Sequence, residues 1–290
     1  MSSKPPVEVQ YLFRTVKIGE LELKNRIIMA PMLIGLSEFD GTVGEKLTQF
    51  YVERAEGGVA LIAVGGICPD DRYRSHPGQP SLDGDKYTPG WKKFTNEIKE
   101  REAKVTAQLL HPGRYAPSII TGRQPVAPSP IPSKFTGETP KELTVEEIKE
   151  IEEKFAEAAK RAKLAGFDGV ELYASAGYLF SQFLSPATNK RGDEYGGSLK
   201  NRMRFLIETV EKNKKCSWKK YPLIVRLSAE DYMPGDTTIE ETKIVAKTLE
   251  DAGVDALNIT TGWHESPRPL ITREFLQEDL YILQKLLKKL

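Results

Sequence analysis

Six short apolar runs, each followed by a stretch with helical spacing, constrain this chain more than any other feature. The runs lie at residues 26–30, 59–64, 104–110, 169–172, 222–227 and 255–259. Apolar runs without polar alternation mark strands buried on both faces, as in parallel sheets. Residues 45–56 place Leu47, Phe50, Tyr51 and Ala55 on one helical face. A second helix is expected over about residues 90–101. Thr144 with Glu147 forms a capping box, and Ile148, Ile151, Phe155, Ala158, Ala159 and Ala162 follow it on one face. Thr238 with Glu241 repeats the box, and Ser198 is a further candidate N-cap. Residues 274–290, with Leu276, Leu280, Leu283 and Leu287, predict a last helix, and residues 18–23 a small hairpin.

Repeated strand and helix mean parallel pairing through right-handed crossovers. The result is an open doubly wound sheet or a barrel. No Gly-x-Gly-x-x-Gly follows the first run, which counts against a dinucleotide-binding sheet. Long segments after the third and fourth runs favour a barrel, because barrels build their sites from loops at strand C-termini. The expectation is therefore an α/β chain with one domain over residues 1–290. It would be a TIM (β/α)8-type barrel truncated after about six of its usual eight units. Exposed edges on the first and sixth strands would need a cover. A second copy, a complementing chain or the terminal helix could provide it.

The chain has 42 basic and 41 acidic residues, a net charge of +1. That balance gives no field for nucleic acid or a membrane surface. No stretch approaches the roughly 18 apolar residues of a membrane span, and no apolar leader is read at the N-terminus. A cytoplasmic location is expected. Cys68 and Cys216 are far apart, so neither a disulfide framework nor a metal site is expected.

Residues 177–205, GYLFSQFLSPATNKRGDEYGGSLKNRMRF, resemble the signature of the Old Yellow Enzyme family of flavin-dependent ene-reductases on TIM barrels. The resemblance implies FMN, NADH or NADPH as electron donor, and a small-molecule substrate with an activated C=C bond. Gln108 opens the segment QLLHPGR; its amide donates and accepts together, as the pyrimidine edge of a flavin requires. Arg226 carries the permanent charge wanted near flavin N1 and O2. The resemblance gives both the same roles. Ala30, Pro31 and Met32 resemble the segment that runs along the ring, and Gly65 with Gly66, expected to end the second strand, would allow close backbone approach.

Tyr178 resembles the family's proton donor. Tyr173 and Ala176 stand where most members carry the two side chains that grip a substrate carbonyl, and Leu33 stands near where a Thr, Cys or His is common. The bacterial 2,4-dienoyl-CoA reductases lack that gripping pair. Residues 261–265, TGWHE, resemble their segment bearing a histidine that acts with the tyrosine. Tyr178 and His264 would then be the catalytic pair. Arg191, Asp193, Glu194, Arg202 and Arg204 read as scaffold, and His76 and His111 as structural. The rival reading is a non-catalytic barrel serving as a binding or assembly subunit. A Schiff-base aldolase barrel would want a lysine at an apolar strand end, and none of the six runs offers one.

Overall fold

The computed structural model describes residues 7–217 and 221–267, and at its centre is a six-stranded parallel sheet. The strands are β1 (Ile28–Met29), β2 (Leu61–Ile67), β3 (Lys104–Leu109), β4 (Gly169–Ala174), β5 (Leu223–Ser228) and β6 (Ala256–Thr260). The principal crossover helices are α1 (Glu45–Glu56), α2 (Thr88–Lys99), α3 (Val145–Leu164), α4 (Arg204–Ser217) and α5 (Ile239–Asp251). Spatial order equals sequence order from β1 to β6. A doubly wound sheet reverses its order at a switch point; this one never does, so it is an arc of a singly wound barrel. A hairpin, Val16–Ile18 against Leu21–Leu23, precedes it. The expected helix at 274–290 lies outside the described residues.

Period-two alternation sorts each strand into two faces. Ile62, Val64, Val105, Ala107, Leu109, Val170, Leu172, Val225 and Leu227 join the core beneath the helices, with Tyr51, Trp91, Phe94, Phe155 and Phe205. The alternate residues Ala63, Thr106, Glu171, Ile224 and Asn258 line the inner side, around a cavity of about 300 Å³. That inner side is therefore partly polar, which the apolar runs do not suggest. Ile28 on β1 is 47% exposed and most of β6 is half-buried, so the two edge strands are the open ones.

Both capping boxes form, with the Thr144 hydroxyl accepting from Glu147 N–H and the Thr238 hydroxyl from Glu241 N–H. Ser198 accepts from Asn201 N–H, but the helix it starts ends at Arg202, and α4 begins at Arg204. Arg202 is drawn inward there, donating to the Leu184 and Gly197 carbonyls and to Glu241.

Two expectations need correcting. Strand β2 does not end at Gly65-Gly66; it runs through them to Ile67, with a register shift against β3 between Val64 and Ile67. The glycines serve close packing here rather than termination. The segment after β4 is not plain loop: Leu179–Leu184 is a fully buried short helix. Its Gln182 side chain donates to the Gly177 and Pro112 carbonyls, a tertiary anchor that periodicity does not show.

Candidate active site at the strand C-termini

Gly65 on β2 defines the centre of the rim. A Cβ there would lie 2.6 Å from Gln108 Oε1, 2.6 Å from Pro31 Cβ and 3.3 Å from Met32 N. Residues from the β1 exit, β2 and β3 thus converge on one spot so closely that only glycine fits it. Ala30, just below, lines the inner cavity. Gln108 is buried, and its Nε2 donates to Glu171 Oε1 at 2.6 Å; Asn258 Nδ2 donates to Glu171 Oε2 at 3.0 Å.

Arg226 on β5 pairs in register with Tyr173 of β4 and Asn258 of β6. Its guanidinium carbon lies 5.5 Å from the centroid of the Tyr173 ring. Its Nε and Nη1 are buried with no hydrogen-bond partner among the described residues. The ion pair to a neighbouring strand that would make Arg226 merely structural is not among the observed contacts. A desolvated cation with free donors is an unfilled binding group.

Tyr173 leads on to the proton-bearing residues. Its ring centroid is 5.0 Å from that of Tyr178, and the Tyr178 hydroxyl is 3.2 Å from His264 Nε2. Burial, with Tyr173 adding to it, raises the Tyr178 pKa, so the phenol keeps its proton. The His264 ring packs on Phe135 and Tyr115, and this partial burial lowers its pKa, with the Glu265 charge opposing. At neutral pH the pair is a phenol beside a neutral imidazole, and one edge of His264 faces solvent.

The loop after β6 is fixed by three contacts. Ala176, at φ 60°, forms a bridge with Trp263, and a Cβ on Gly177 would strike the Trp263 indole. The indole N–H donates to the Tyr115 hydroxyl. Glu265 Oε1 meets Arg114 Nη2 at 3.0 Å and accepts from Ser133 Oγ at 3.2 Å, with the ion-pair side chains 4% and 2% exposed. Breaking a buried pair of this kind costs about 3–5 kcal/mol, because one charge is stranded. His264 is thus tied beside Tyr178 by neighbours from the loop after β3.

His111 follows β3, where its Nδ1 accepts from Gly113 N–H at 3.1 Å and its Nε2 has no partner among the described residues. Full burial lowers its pKa to about 4, opposed by Asp70. The unfolded chain, with an ordinary value near 6.5, binds the proton first. Stability from this residue is complete above about pH 6.5 and is lost as pH falls toward 4, by about 3 kcal/mol in all. Urea unfolding at pH 7 and pH 4.5 should show a smaller acid loss in His111→Asn, which keeps the acceptor. Equal losses would place the acid sensitivity elsewhere.

The structure brings Pro31, Met32, Gly65 and Gln108 to one rim and links Arg226 to Tyr178 and His264 through Tyr173. Sequence reading missed Glu171, Asn258 and the Arg114–Glu265 pair. The visible signal was a carboxylate and an amide inside otherwise apolar strand runs.

The arc thus gathers, at its strand C-termini, a tightly packed glycine, a cation with donors that lack partners among the described residues, and a phenol–imidazole pair. Residues 11–274 match the NADH:flavin oxidoreductase / NADH oxidase family. The chain belongs to that family, which includes the Old Yellow Enzymes. It is 52% identical over 261 residues to a metal reductase of Desulforamulus reducens, covering 90% of this chain and 39% of that protein. It is 36% identical to a cinnamate reductase of Clostridium sporogenes, covering 93% and 44%. A 2-naphthoyl-CoA reductase in complex with 2-naphthoyl-CoA superposes with a TM-score of 0.93 at 35% identity, over 97% of this chain and 45% of that one. The chain thus spans less than half the length of these relatives.

FMN is the cofactor of this family. The Arg226 donors, which have no partner among the described residues, fit a group that gains negative charge at one edge.

Proposed function

We propose that this chain carries the flavin site of an NAD(P)H-dependent ene-reductase acting on a C=C bond conjugated to a carboxylate, ketone or thioester. Gln108, Arg226, Gly65 and the Ala30–Met32 segment would hold FMN. When bound, FMN supplies the hydride for the β-carbon of the substrate. Tyr178 holds a proton at its hydroxyl for the α-carbon, and His264, open to solvent on one edge, replaces it. The observation that carries this reading is the 3.2 Å contact between Tyr178 and His264, one aromatic ring away from Arg226. The names of the cinnamate and naphthoyl-CoA reductases support a conjugated aryl or thioester substrate. The name of the metal reductase points to electron transfer to a metal ion, but that needs no proton donor, so the pair favours the C=C reading.

The test is the visible spectrum of the purified protein with FMN, bleached anaerobically by NADH or NADPH and reoxidised by cinnamate, cyclohexenone or a dienoyl thioester. Reoxidation by none of the three, with flavin bound and reducible, would overturn the substrate class. A protein that ignores FMN would overturn the site itself and favour the assembly-subunit reading.

A further inference from the structure

We propose that Glu171 is a positioning residue that fixes which end of the Gln108 amide faces the rim. This rests on the flavin reading above for its ligand, but not for its geometry. Glu171 is 2% exposed on the inner side of the arc. Its two carboxylate oxygens each take an amide N–H, Oε1 from Gln108 and Oε2 from Asn258. An ionised carboxylate only accepts, so both amides must turn their nitrogen toward it. Gln108 then has its oxygen on the opposite side, where it lies 2.6 Å from the position a Gly65 Cβ would take. The rim at that point is an acceptor, and it selects a ligand edge that presents an N–H over one that presents a carbonyl. The imide N–H of a flavin is such a group.

Burial raises the pKa of this carboxyl, and the Asn258 amide, the Arg226 charge and the Gln108 amide oppose that rise. Neutralising it would leave the Arg226 charge less balanced. A ligand that becomes more negative on reduction would then be reduced more easily. Glu171 would thus set two properties at once, the polarity of the Gln108 contact and the potential of the bound group.

The experiment compares the wild-type protein with Glu171→Gln, which preserves size, and with Asn258→Ala, which removes only the second amide. Titration with FMN should give a dissociation constant raised on the order of tenfold in Glu171→Gln. The midpoint potential of the bound flavin should move upward. Asn258→Ala should move affinity in the same direction by less, and it keeps the comparison available if Glu171→Gln does not fold. Unchanged affinity and potential in both variants would overturn the inference while leaving the flavin site standing. A readout free of cofactor comes from the apo-protein: the side-chain amide protons of Gln108 should exchange slowly in wild type and faster in both variants. Fast exchange in wild type would overturn the lock whether or not FMN binds. Slow exchange lost in the variants, in a protein that ignores FMN, would support the lock and sink only the flavin reading.

Discussion

Tyr178→Phe is expected to lower kcat for C=C reduction by about 10²- to 10⁴-fold, the range of a lost general acid. The change removes one oxygen and keeps the ring that packs on Tyr173 and Tyr115. Binding of FMN and its bleaching by NADH or NADPH should stay near wild type, because Arg226, Gln108 and Gly65 are untouched. The loss should therefore fall on the half-reaction with substrate. The phenol is held protonated by burial, so activity should persist to high pH in wild type. Stopped-flow measurement of both half-reactions decides the matter. A variant that reoxidises on substrate at the wild-type rate would remove Tyr178 from the chemistry.

Arg226→Met is expected to do two opposite things. Flavin affinity should fall by about 30-fold or more, the scale of losing a charged partner in a desolvated site. The apo-protein should become more stable, by about 1–3 kcal/mol, because removing two buried donors that lack partners among the described residues outweighs losing the charge that favours ionised Glu171. Denaturant unfolding without FMN, beside a flavin titration, reads both. A less stable apo variant would mean that Arg226 is engaged inside the protein rather than held ready for a ligand. A gain in stability with lost binding is the mark of a group kept for function at the expense of the fold.

Much of the architecture was legible because it is local. Helix α1 follows the spacing of Leu47, Tyr51 and Ala55, and the two threonine–glutamate boxes set the starts of α3 and α5. Candidate side chains at strand ends could be picked out because inner-side residues of a barrel are few. What escaped depends on tertiary contact. Gly65 and Gly66 looked like strand breakers, but a residue with no Cβ can also continue a strand where Pro31, Gln108 and Leu110 press on it. Residues 179–184 are too short for a period to show, and their helix rests on Gln182 reaching Pro112 and Gly177. Arg114 and Glu265 stand 151 positions apart, and neither alone differs from a surface charge in the sequence. Glu171 was visible as a carboxylate in an apolar strand, yet its use emerges only once β3 and β6 flank it with amides.

The hydroxyl of Tyr178 and the ring of His264 meet across 86 positions of chain, and the histidine arrives with the last strand of the arc. The groups proposed to hold flavin come from strands β1 to β5, whereas the proton pair exists only when β6 has docked. On the proposed function, colour and turnover would therefore be separate milestones in the assembly of this protein. A chain that has gathered five strands could capture the cofactor and still be mute toward substrate until the sixth delivers the imidazole. Pairing across such long stretches of chain slows folding, and turnover, unlike colour, would report on the far edge of the sheet.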